Sequence, residues 1–373
     1  MKFSVFKKDL IEVLSFSSKA VPVRTTLPIL SCAFFDIKKN IVNIRTTDLE
    51  VHVSSKIEGT SDFEGQICIS INKVLEIASV LSDDRINFEI LKTNKIKINS
   101  MHGEYSIMGN ETSEFPSKPN IEQSTKIEFE GLGFGEIINQ TVFATSRDDL
   151  KPALQGVGFF FKDLTVATVA TDGHRLVKYE VKVEKEADMP PPVVIPVKFL
   201  KLLQPKVSSK EKTNLEISEN HVKTKIGKTT IITRIIKESF PDYESVIPTD
   251  NNVNMVINKQ KLIETLKRVS IFSNKTTKQI TLNINREGLT VSTEDAENVS
   301  EGSEFIKCNY DNEPLKLGFN STYLLDILQH EEEEDLVFLL KESLAAAIIF
   351  PKKQYQNQKQ TKLTLLMPIR LND

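Results

Sequence analysis

The sequence predicts an α+β chain of three equivalent domains, each of antiparallel sheets packed on two helices. Three observations predict it. First, 373 residues exceed one ordinary core and suit two or three domains of roughly 100–200 residues each. Second, the helix-forming segments KKDLIEVL (7–14), FGEIINQT (134–141) and KQKLIETL (259–266) recur, and the outer two share K-x-x-L-I-E-x-L at an offset of 252. Third, a strand pair ending in threonine and an acid returns as NIVNIRTTDLE (40–50), DLTVATVATDGHR (163–175) and REGLTVSTEDAE (286–297). Its acids Asp48, Asp172 and Glu294 stand 124 and then 122 positions apart.

Each copy opens with a short strand, such as Lys2–Val5 or Met255–Ile257, and continues into a helix with apolar residues at helical spacing, as in Leu262, Leu266 and Val269. A second helix follows a strand in ISINKVLEIASVL (69–81), VIPVKFLKLL (194–203) and GFNSTYLLDIL (318–328). Its Asn or Ser start in the outer two copies is capping chemistry. Period-two strands such as IKINS (96–100) and VKTKIG (222–227) close the copies, and EFP (114–116) and SFP (239–241) mark the first two exits. The expected order is strand, helix, three strands, helix, three strands, with domains at 1–125, 126–250 and 251–373. Units of ~125 residues each bury a core of their own and exceed the 20–50 residues of stacked solenoid repeats.

Composition is that of a soluble globular chain: 39% hydrophobic, 27% charged, 14 glycines. Net charge is −3, so bulk attraction to nucleic acid is not expected and any such contact must come from a local basic patch. Cys32, Cys68 and Cys308 are odd in number and lack C-x-x-C spacing, which points to a reducing cytoplasm without zinc or disulfides. The charged start MKFSVFKKDLIEVL has neither a signal-peptide core nor an apolar run near the ~20 residues that span a bilayer. No cofactor is implied.

ATDGHRL (170–176) collects an aspartate, a histidine and an arginine, the stock of a hydrolase or metal site. The repeat argues against chemistry. The acid recurs in every copy, which suits a turn residue bonding local amides, while only the middle copy adds Gly-His-Arg. His174 has no partner at metal-ligand spacing, since His52, His102, His221 and His330 are scattered.

A threefold repeat of this size with ATDGHRL in the middle copy, FPDYESVIP at its exit and LLMPIRL near the end resembles the bacterial sliding clamps, the beta subunits of DNA polymerase III. VRTTLPIL (23–30) and TTDLE (46–50) fit the same family. The resemblance implies a homodimeric head-to-tail ring of six domains around duplex DNA, bound without regard to sequence and without catalysis. It implies partners that dock short peptides: the polymerase III catalytic subunit, the clamp loader, other polymerases and repair proteins. The implied pocket uses Leu154, Thr171, Gly173, His174, Arg175, Leu176, Pro241, Val246, Leu344, Leu365, Met367, Pro368 and Ile369, with His174 and Arg175 framing its rim. DNA contacts fall to Arg24, Lys73, Lys151 and Lys198, and ring closure sets Ile271 and Phe272 against Tyr105 and Ile107 of the next chain.

Local charge is compatible with this. Segments 1–24, 198–212 and 255–275 carry balances of +3, +4 and +4. The run HEEEEDL (330–336) is expected to face solvent, away from DNA. The chain departs from the family in having Ser245 where a second pocket arginine often stands, Lys151-Pro152-Ala153 where relatives carry aromatics, and a tail extended by Asn372 and Asp373. The rival readings are a hydrolase or nuclease built on Asp172 and His174, and a static peptide-binding scaffold that never encloses DNA.

Overall fold

The computed structural model describes residues 1–129, 131–184, 189–205, 207, 212–356 and 361–371. Strands dominate, every described strand pair is antiparallel, and two compact units emerge. The first holds residues 1–131, 184–188 and 198–235, and the second 132–183, 189–197 and 236–373. The α+β expectation holds among the described residues.

In the first unit, strand Lys2–Phe6 lies between Val51–Ser61 and Arg85–Ile90. Helix Lys7–Ser17 follows at once and buries Leu10 and Leu14 on a core with Phe35, Ile44, Val74 and Phe88. Helix Ile71–Val80 adds Ile71, Val74 and Ala78 to the same core. A second sheet runs Gly65–Ser70, Cys32–Ile37, Ile41–Thr47 and Val51–Ser61, then continues through Thr229–Arg234, His221–Ile226 and Thr213–Ile217 to Thr125–Phe129. That continuity crosses from the first sequence copy into the second. It explains why residues 198–235 belong to the first compact unit: backbone pairing of Thr229–Arg234 with Val51–Ser61 binds them there.

The second unit repeats the device. Its long sheet runs Val193–Pro196, Gly156–Lys162, Thr165–Thr171, Arg175–Glu184, Lys362–Leu366, Ala347–Pro351, Asp335–Leu340 and Val253–Asn258. A four-stranded sheet, Ser300–Ile306, Gly288–Asp295, Gln279–Asn285 and Leu315–Asn320, completes it. Helix Lys259–Val269 buries Leu262, Ile263, Leu266 and Val269 between them. Two of the element expectations change. The first two copies place four strands, not three, between their helices, because the strand leading into the second helix pairs in the sheet, as Gly65–Ser70 does with Cys32–Ile37, and the third adds the two-residue strand Asn309–Tyr310 to make five. Asn320 caps helix Ser321–Gln329 through Thr322 N (2.9 Å) and Tyr323 N (3.3 Å), whereas Ser70 makes no side-chain cap bond.

Candidate functional site

The middle-copy turn joins Thr165–Thr171 to Arg175–Glu184. Asp172 Oδ1 accepts from His174 N (2.9 Å) and Arg175 N (3.0 Å), while Thr171 Oγ1 accepts from Gly173 N (3.1 Å) and donates to Arg175 O (2.7 Å). Gly173 sits at φ +91°, in the left-handed region that favours glycine. The first copy builds the same turn from Asp48, which accepts from Glu50 N and Val51 N, and Thr47, which accepts from Leu49 N. The acid is thus a turn former, as its recurrence implied. In the third copy the structure assigns that work to Asp295 and not to Glu294: Asp295 is buried and accepts from Glu297 N (3.2 Å), while Glu294 is exposed. Strand pairing sets the register there, with Asp295 opposite Ser300 as Thr171 is opposite Leu176.

Arg175 does not frame a rim. It is only 6% exposed. Its Nε donates to Asp172 Oδ2 (3.1 Å), one terminal nitrogen to Asp326 Oδ2 (2.8 Å) and the other to Phe143 O (2.8 Å). The guanidinium also lies 4.8 Å from the Tyr323 ring and 5.3 Å from that of Phe143. Such a fork, with its donors met and both faces covered, is a buried anchor and not a free contact. Both Asp172 oxygens are engaged, one by the turn amides and the other by Arg175.

His174 stays exposed, its ring stacked on Tyr323 at 5.6 Å and 18°. Its carbonyl accepts from Met367 N (2.8 Å), which ties the end of strand Lys362–Leu366 to the turn. Strand register sets Leu176 opposite Leu365 and Arg175 opposite Leu366. Beneath lies a small apolar cluster of Val169, Leu176, Tyr243, Ala346 and Leu365. Three apolar side chains adjoining the cluster in sequence stay open: Val246, three residues after Tyr243, is 54% exposed, Leu344, two before Ala346, 59%, and Met367, two after Leu365, 42%. Pro241 is exposed beside Phe240, which packs on the cluster. Leu154 is half-buried in the separate turn Pro152–Gln155, and half-buried Pro368 leads to Ile369, whose N donates to Gly318 O (2.7 Å). Ser245 donates to Asp242 O (2.9 Å) and closes its own turn.

Tyr323, Asp326 and Phe143 were not anticipated. Their signal was faint: Tyr323 and Asp326 stand at i, i+3 in STYLLDILQ, hence on one helix face. A second polar node corrects part of an expectation. Within HEEEEDL, Glu332 and Glu334 are exposed as expected, but Glu331 does not face solvent. It is buried, with its carboxylate 2.7 Å from Lys362 Nζ, which also donates to Gln140 Oε1 (2.6 Å) and His330 O (3.0 Å). Burial pushes the Glu331 carboxyl up and the Lys362 ammonium down, and their mutual attraction opposes both shifts.

Of the basic residues, Arg24, Lys73 and Lys151 are exposed, but Lys198 forms an ion pair with Asp48. Lys259 donates to Glu331 O, Arg268 pairs with Glu304, and Lys261, Lys267 and Lys275 are exposed. Lys206, Lys210, Glu211, Asn372 and Asp373 lie outside the described residues. Tyr105 lies on strand Glu104–Met108, whose one described neighbour is Lys95–Asn99, so it is an edge. Tyr105 is exposed there and Ile107 half-buried on the first core. In the second unit Ser300–Ile306 is likewise an edge, and Phe272 packs on its Gly302 while Ile271 is 76% exposed. Among the described residues no helix is long and apolar enough to cross a membrane.

Among the described residues the chain is a series of repeated antiparallel modules with edge strands and exposed apolar side chains close in sequence to the clustered core beneath the middle-copy turn. Family models of the DNA polymerase III beta subunit match in series: the N-terminal domain over residues 1–119, the central domain over 129–242 and the C-terminal domain over 244–369. The chain belongs to the DNA polymerase III beta subunit family. A beta sliding clamp of Chlamydia pneumoniae is 24% identical and one of Rickettsia felis 26%, each alignment covering 100% of both chains. Among solved structures, the DNA polymerase sliding clamp of Bacillus subtilis is 25% identical with a TM-score of 0.93, covering 100% of both chains. A clamp from Bartonella birtlesii, bound to griselimycin, is 26% identical at the same TM-score and coverage.

Proposed function

We propose that this chain is a DNA sliding clamp: two copies close head to tail around duplex DNA and tether the replicative polymerase, without catalysis of their own. Its domains are 1–125, 126–250 and 251–373, and its setting is the cytoplasm. Continuous sheets across the copies make the walls stiff. The observation that carries ring closure is the pair of open edges, Glu104–Met108 with Tyr105 and Ser300–Ile306 with Phe272, because an unpaired strand seeks another strand.

The duplex is held topologically, so its contacts are weak and sequence-independent, as sliding requires. Exposed Arg24, Lys73 and Lys151 serve that role, while Lys198 is drawn off by Asp48. Short peptides of the polymerase, clamp loader and repair partners anchor apolar side chains on Val246, Leu344 and Met367, beside the His174–Tyr323 stack. Peptides of this kind need a floor that does not move, and Arg175 pins the turn from below.

The test is retention on DNA after loading by the cognate clamp loader with ATP, comparing nicked circles with the same molecules cut once. Retention on circles and loss on cut molecules is the expected result. Equal retention, with loader turnover confirmed, means ordinary contacts and sinks the ring.

A further inference from the structure

The outer face of the long sheet in the first unit carries several lysines and arginines. Arg45 lies on strand Ile41–Thr47, Lys56 on Val51–Ser61, Arg234 on Thr229–Arg234, and Lys223 and Lys225 on His221–Ile226. His52 and His221 share the face, but burial pushes the His52 imidazole down to about 4 and lowers that of His221, so neither adds to the charge near neutral pH. Register puts all of these on one face: Arg45 pairs with Ser54, Ser54 with Thr230, and Thr230 with Lys225. Lys118 reaches the same cleft from the segment that leaves the last strand of the first copy. Of the nearby acids, Glu216 is paired with Lys223 and Asp48 with Lys198, while Glu50, beside Arg234, is exposed. In a chain of net charge −3 this is a local excess of positive charge.

Arg45 sharpens the point. Its guanidinium lies 4.0 Å from the Phe34 ring centroid and 5.8 Å from that of Phe115, which fixes its plane. Among the described residues no oxygen accepts a hydrogen bond from it. The adjacent Asp36 is taken by Asn43 (3.1 Å) and Gln66 (3.1 Å). Burial pushes the guanidinium down, with Asp36 opposing. Lys118 is pushed down by burial and by Lys223, Arg45 and Lys56. A half-buried fork with unmet donors, crowded by like charge, gains most from an oxyanion.

We propose that the cleft of Arg45, Ser54, Lys118 and Thr230 is a docking site for an acidic peptide segment, one carboxylate taking the Arg45 fork and further carboxylates following the cations toward Lys56 and Arg234. Single-stranded nucleic acid fits less well, because it needs open aromatic faces for its bases. Phe34 is buried beneath Arg45, and Phe115 is half-buried against it at 5.2 Å. This site is independent of the pocket at Thr171–Leu176 and of ring closure.

The test is fluorescence anisotropy of a labelled peptide of alternating Asp and Glu on the full-length chain. Arg45→Lys, which keeps charge but loses the fork, is expected to weaken binding about tenfold. Lys118→Ala, at an exposed position, is expected to weaken it about threefold. Lys261→Ala with Lys267→Ala, on helix Lys259–Val269 of the second unit, is expected to leave binding unchanged. Equal loss in that control means bulk attraction and overturns the site. So does undiminished binding in both cleft variants, or a cleft that takes inorganic phosphate but not the peptide. An oligodeoxythymidine bound more tightly than the peptide would overturn the choice of partner.

Discussion

The turns Thr47–Glu50 and Thr171–His174 are the same construction put to different ends. In both, a threonine hydroxyl and an aspartate carboxylate accept the turn amides. The first turn bends through Leu49 at φ 81° and spends its second carboxylate oxygen on Lys198, a half-exposed side chain. The middle turn bends through Gly173 and spends it on a buried arginine that also grips Asp326 and Phe143 O. The shared acid is scaffold, and what surrounds it makes one turn a rigid platform.

Arg175→Ala is the heaviest blow to that contrast: it leaves Asp172 and a buried cavity uncompensated, at a cost of about 3 kcal/mol in urea unfolding. A cost near that of a surface substitution would mean the arginine anchors nothing. Gly173→Ala comes next, destabilising by ~1–2 kcal/mol at its positive φ, whereas Leu49→Gly should stabilise by up to ~1 kcal/mol by relieving the corresponding strain. If Leu49→Gly also destabilises, the two turns are not equivalent. Met367→Ala should weaken a short partner peptide with apolar anchors by about fivefold, a loss of ~1 kcal/mol, with the melting temperature unchanged. Lys198→Ala should cost under ~1 kcal/mol, since its ion pair is half-exposed.

The smallest effect tests the third copy. Hydrogen bonds from Asn298 and Asn274 hold the Asp295 carboxyl below its ordinary 3.8. A depressed carboxyl contributes stability above its unfolded value and loses it as pH falls through its folded value. The melting-temperature gap between the protein and Asp295→Asn is therefore expected to be widest near neutral pH and to close as pH falls below 3.8. A gap that does not change with pH would place the work of this turn elsewhere than in Asp295.

Much of this was legible in the sequence. Helical spacing in KQKLIETL named Leu262 and Leu266 as core, and the recurrent Thr-acid identified a turn before any contact was known. The misreadings share a cause. Glu294 was chosen over Asp295 because spacing cannot see which residue a strand register turns inward. Glu331 was read as solvated with the rest of HEEEEDL because no local pattern announces that Lys362 will be buried against it. Arg175 looked like a rim residue because its partners, Asp326 and Phe143, lie 151 and 32 positions away.

By itself the sequence determined the class of fold, the threefold repeat, the turn chemistry and the family, since these depend on periodicity and on residues a few positions apart. Only the tertiary structure decided that sheets run unbroken from copy to copy, that Arg175 and Glu331 are buried, and that Arg45 keeps unmet donors over two phenyl rings. Those outcomes depend on strand pairing and on water exclusion by distant segments. A short window of sequence holds only one side of each such contact.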